Sequence, residues 1–192
     1  MKSSLGAKTI LYPSPLFIVG TYDAEGRPNV MAVAWGGICC SKPPCVGISV
    51  RKATYTYGNL VERKAFTVSI PSRDHVAAAD HFGVVSGRDE DKFAVTGLTP
   101  VRAELVDAPY VGEFPLVLEC KVVQVGEFGS HTQFVGEILD VKAEESCLDE
   151  DGNLSAELVR PFIWALPDNE YYALGEKLGR GFSVGKVLGD KS

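Results

Sequence analysis

The strongest constraint on how this chain folds is a succession of short β-type runs divided by turn residues. Residues 16–22, 30–35, 46–51 and 65–70 are rich in Val, Ile, Thr and aromatics, and Gly, Pro and Asp clusters separate them. Branched and aromatic side chains suit a pleated backbone, whereas Gly, Pro and Asp supply turn geometries. Between the first two runs, the polar stretch 23–28 contains Gly26 for a positive φ, as a hairpin connection needs. Two longer runs, 115–126 and 134–143, are bridged by Glu127, Phe128, Gly129 and Ser130 and predict a second hairpin. Helical patterning is sparser: 54–63, 73–82 with its Ala77-Ala78-Ala79 run, and 171–178. Closely spaced strands with helices inserted in two places predict a mainly β chain, a closed antiparallel barrel with flanking helices, since closure removes exposed sheet edges. A parallel α/β arrangement is the alternative.

At 192 residues, with no internal repeat, low-complexity tract or linker, the chain is expected to be one domain over 1–192. Hydrophobic residues at 45% and charged residues at 23% exclude a disordered or collagen-like chain. The apolar runs fall short of the roughly 20 residues that span a bilayer, and the N-terminus carries no export signature, so no membrane association and a cytoplasmic location are expected. A net charge of −6 with scattered cations argues against nucleic acid as a partner.

Most catalytic signatures are missing. There is no G-x-S-x-G, and the glycine-rich tail satisfies neither dinucleotide nor P-loop spacing. Asp149, Asp151 and Asn153 lack calcium-loop spacing, and the stretch from Arg88 to Asp91 reads as a solvated loop. Cys39, Cys40, Cys45, Cys120 and Cys147 are odd in number and lack C-x-x-C pairing, so they are expected to be free thiols used in packing, with no metal site.

The segment 48–59 is the most informative. An apolar run ends in Arg51 and Lys52 and passes into a helix opened by Thr54 and Thr56. A helix N-terminus offers unpaired N–H groups and a partial positive charge, and hydroxyls with a guanidinium complete an anion site. A plain Thr N-cap beside surface cations fits the same residues. On the preceding run, Trp35 is followed by Gly36 and Gly37, which let a flat ligand approach the backbone, although a lone Trp serves a core equally well.

The ordered set Pro15…Gly20-Thr21, Gly26-x-Pro28-Asn29-Val30, Ala34-Trp35, Pro43-Pro44, Ser49-Val50-Arg51, Thr54-x-Thr56, Asp91-Lys92-Phe93, Glu119-Cys120, Gly129-Ser130-His131, Gly136-Glu137 and Tyr172-x-Leu174-Gly175 resembles the flavin reductase-like FMN-binding split-barrel family. The resemblance runs from about residue 11 to 179, which implies a domain core over that span and a tail at 180–192. It implies a six-stranded antiparallel split β-barrel, noncovalent FMN and a homodimer with flavin near the interface. It further implies that Arg51, Thr54 and Thr56 hold the phosphate and that Asn29, Ala34, Trp35, Ser49 and Val50 line the flavin. Lys92 and His131 would approach it from later loops, and Trp164 would add an aromatic wall. Read without the resemblance, Lys92 is a surface cation and His131 a hairpin-turn residue. The chemistry is then carried by the cofactor, and no catalytic acid pair is needed. Three functions follow: an electron-transfer flavoprotein serving redox partner proteins, an NAD(P)H-dependent flavin or ferric reductase, and a flavin- or haem-binding module without turnover.

Overall fold

The computed structural model describes residues 1–189. Its strands, in chain order, are β1 (Ser14–Pro15), β2 (Phe17–Tyr22), β3 (Pro28–Val33), β4 (Gly36–Ser41), β5 (Pro44–Arg51), β6 (Ala65–Ile70), β7 (Pro100–Arg102), β8 (Pro109–Val111), β9 (Leu116–Phe128), β10 (His131–Ala143), β11 (Phe162–Ala165) and β12 (Glu170–Ala173). The helices are α1 (Tyr55–Arg63), α2 (Val76–Val84), α3 (Lys92–Thr96) and α4 (Ala156–Val159). No helix among the described residues is long and apolar enough to cross a membrane.

Seven strands form one antiparallel sheet in the order β3-β2-β6-β9-β10-β5-β4. Its two end strands are consecutive in the chain, and Ser49 N donates to Trp35 O at 2.8 Å where β3 gives way to β4, so the sheet curls round into a barrel there and leaves β4 as its outer edge. The expected mainly β class with flanking helices is what forms, and all six runs become strands. The six-strand count is corrected to seven: β4, a Gly-Gly-Ile-Cys-Cys-Ser stretch with no alternating pattern, owes its extended form to pairing with β5. A small sheet, β1-β11-β12, is separate in its pairing and packs beside the barrel sheet through Phe162. It overturns the expected helix at 171–178: Phe162–Ala165 captures Glu170–Ala173 as an antiparallel partner, and tertiary pairing overrides local helical preference.

Alternation along β2 and β3 feeds two cores. Val19 and Val33 point into the barrel with Val46, Ile48, Val50, Phe66, Val68 and Phe134, and Leu60 of α1 packs in the same cluster. Ile18 and Val30 face outward onto Ala79 and Phe82 of α2 and Phe93 of α3. Because the β2–β3 ribbon is covered on both faces, it is a near-continuous apolar run, and it supports α2 and α3 beside the mouth of the barrel.

Candidate functional site

The site is built where β5 ends. After Arg51 the chain reverses, with Thr54 N donating to Arg51 O at 3.0 Å, and α1 begins at Tyr55. Thr54 is the N-cap, as expected, but its side chain does not cap the helix. Its Oγ1 donates to Arg51 O at 2.9 Å, so the first N–H groups of α1 keep no side-chain partner. They lie beside a cavity of about 340 Å³ lined by Asn29, Arg51, Thr54, Thr56, Ser86, Arg88 and Lys92, among others.

Arg88 was not foreseen there. The expected solvated loop instead does three separate things. Arg88 Nη1 donates to Ala53 O at 2.9 Å with its guanidinium over the Tyr55 ring, 5.5 Å from the centroid. Glu90 meets His81 Nε2 at 2.6 Å, and Asp91 caps α3 by accepting from Phe93 N and Ala94 N. Two guanidiniums, Arg51 and Arg88, therefore line the cavity at the start of α1, in a chain whose overall charge is negative. Gly87 makes this packing possible, since a Cβ there would collide with Asn29 Oδ1 and Tyr55.

Asn29 is buried on β3, and its Nδ2 donates to Thr56 Oγ1 at 3.0 Å. Its Oδ1 is buried with no partner. An orphaned acceptor normally costs about 1–3 kcal/mol, and Asn29 is one of the residues lining the cavity, so a hydroxyl or N–H donor of a bound molecule that reached Oδ1 would offset that cost.

Met31, Arg51, Thr54, Gly83 and Val84 also line a second cavity, about 910 Å³, so the two are one continuous cleft. Ala34, Trp35, Ser49, Val50, His131 and Trp164 line this larger part. The His131 ring is parallel to Trp35 within 8° at 6.2 Å, and Trp164 tilts against Trp35 at 6.0 Å. His131 is not a turn residue: the turn is only Gly129 and Ser130, and β10 starts at His131, paired with Arg51 of β5. Trp164 is fixed by β11 and donates its Nε1–H to Asn169 Oδ1 at 3.2 Å.

All eleven residues singled out from the sequence line this cleft, but Lys92 does so in an unexpected state. It is neither a surface cation nor a free cation reaching from a loop. It is buried, and its Nζ donates to Val30 O at 2.8 Å and Phe82 O at 2.9 Å, tying α3 to β3 and to the C-terminal end of α2. Burial pushes its pKa down from 10.5 to about 8.

The cysteines divide. Cys45, Cys120 and Cys147 are buried as expected, whereas Cys39 and Cys40 are exposed, because β4 is a sheet edge. All five are free, and among the described residues no group of three or more His, Cys, Asp or Glu is placed to hold a metal ion.

Comparison with known proteins bears on what this cleft holds. Flavoredoxin of Desulfovibrio vulgaris (Miyazaki F) superposes with a TM-score of 0.92 at 59% identity, covering 96% of this chain and 100% of that one. Flavoredoxin from Methanosarcina acetivorans gives 0.91 at 32% identity over 98% and 99% of the two chains. An uncharacterized protein of Archaeoglobus fulgidus is 30% identical over 149 residues, 78% of this chain and 83% of its own. Residues 9–164 match the family described as the flavin reductase like domain, and the chain belongs to that flavin-handling family.

Proposed function

We propose that the protein binds FMN in this cleft and works as an electron carrier of flavoredoxin type. One observation carries the reading: the N-terminus of α1, uncapped by its own Thr54, faces a cavity with two guanidiniums that opens directly onto a wall of Trp35, His131 and Trp164. An anion on a short linker to a flat aromatic system fits that order of groups. Arg51, Arg88, Thr56 and the α1 N–H groups bind the phosphate, and the orphaned Asn29 Oδ1 accepts from a hydroxyl of the linker. Trp35, His131 and Trp164 orient the ring and keep water from one side of it, while Val50 and Ala34 supply its apolar edge. When bound, the flavin supplies one- and two-electron chemistry.

The homodimer belongs to the same proposal. Val123, Val125 and Phe128 on β9 and Leu139 and Val141 on β10 are exposed, and Phe128 pairs with His131, so apolar surface borders the aromatic end of the cleft.

Anaerobic reduction of the flavin-loaded protein tests the assignment. A carrier is reduced rapidly by a reduced protein donor and slowly by NADH or NADPH. Rapid bleaching by the nicotinamides alone would make it a reductase. Indifference to all three would leave a binding module.

A further inference from the structure

The cysteines of the β4–β5 hairpin take no part in the cleft. Lys42 and Pro43 form the turn between the two strands, and the pairing register sets Cys40 of β4 opposite Cys45 of β5. Directly opposed residues of antiparallel strands have Cα atoms about 4.5–5.5 Å apart and side chains on one face. That spacing lies inside the roughly 4.4–6.8 Å a disulfide spans. Cys39 is the extra residue at the register shift between Ile38 and Cys40, and its Sγ is turned to Cys45 O at 3.6 Å. On the inner side of the sheet Cys120 is fully buried, and burial pushes its thiol up to about 12, so it stays protonated and inert.

We propose that Cys40 and Cys45 form a reversible disulfide, a redox modification site that small-molecule disulfides enter through the exposed Cys40. The Cys40 thiolate attacks one sulfur of an external disulfide, forming a mixed disulfide and expelling one thiolate. The Cys45 thiolate then attacks Cys40 Sγ, closing the internal bond and expelling the second thiolate. The two protein thiols lose two electrons, the external disulfide gains them, and the two released protons go to the expelled thiolates. Burial pushes the Cys45 thiol up, which makes the closing step the slower one. The inference is independent of the flavin reading: Cys45 sits at the start of β5, whereas the cleft is built at its other end, at Arg51.

Incubation of the reduced full-length protein with oxidised glutathione tests the site. Thiols are counted after denaturation, and chain size is read on a non-reducing gel. The free thiols fall from five to three in a chain of monomer size, and dithiothreitol restores five. Cys39→Ser still loses two thiols and Cys40→Ser loses none. Cys45→Ser keeps one glutathione on Cys40. The two exposed positions keep the test readable if the buried one impairs folding. A loss that needs Cys39 in place of Cys40, a bond between two chains, or glutathione stably retained on the unmutated protein would overturn the proposal.

Discussion

Lys92→Met tests how the α2–α3 side of the cleft is held. In the native protein the ammonium donates to Phe82 O, one of the last carbonyls of α2, and to Val30 O of β3. Two bonds from a charged donor contribute about 1.5–3 kcal/mol each, and Met fills similar volume without replacing either. Against that stands the cost of holding a charge inside. The fall from 10.5 to about 8 corresponds to at most roughly 3 kcal/mol. The two terms separate by pH. Between about 8 and 10.5 the unfolded chain binds a proton at Lys92 that the folded protein has shed, so the native protein gains stability as pH rises through this window. Below about 8 both states are protonated and the contribution is flat. The Met variant has no such group. Urea unfolding followed by circular dichroism therefore shows the variant less stable by about 1–3 kcal/mol at pH 7, with the gap widening by up to about 3 kcal/mol at pH 10.5. A gap that is constant or narrows over that range would refute the burial of a charged Lys92.

Arg88→Ala lowers FMN affinity about tenfold in a fluorescence titration and leaves riboflavin within about twofold, with the difference shrinking at high salt, because the lost cation serves a phosphate. Thr56→Ala likewise costs FMN about 1 kcal/mol more than riboflavin; equal losses would contradict a phosphate contact. In Gly20→Ala the new Cβ collides with Pro109 O and lies 2.6 Å from Thr67 Oγ1, and differential scanning fluorimetry reads a loss of about 3 kcal/mol or more. Glu119→Gln turns a fully buried acceptor of Glu104 N and Leu105 N into a group that presents N–H to N–H, and costs roughly 2–3 kcal/mol in the same assay.

Features written in local pattern were legible before the structure. Thr54 opens α1, Gly26 turns the first hairpin, and the six β runs are strands because branched and aromatic residues give each of them a buried face. The cleft residues of β3 and β5 were legible through the resemblance, which supplied the pairing that spacing alone lacks. What local pattern misses is decided at a distance. β4 is extended only because β5 pairs with it, and Glu170–Ala173 is a strand only because Phe162–Ala165 is. Lys92 reads as a surface cation until α3 folds it under Phe82 and Val30, which lie 10 and 62 residues away in sequence. Arg88 stands in an acidic run, and its reach to Ala53 O spans 35 residues. Gly83 and Gly87 so close to that run were a usable signal, because glycines beside a cation often mark a backbone drawn close to a ligand.

The central claim is that the start of α1 grips the phosphate of a mononucleotide whose ring lies along Trp35. The most direct measurement compares FMN with riboflavin on flavin-free protein by fluorescence quenching at low salt. The account predicts FMN at least tenfold tighter, a difference of about 1.4 kcal/mol or more from the phosphate alone. Equal affinities, or a preference for riboflavin, would contradict it.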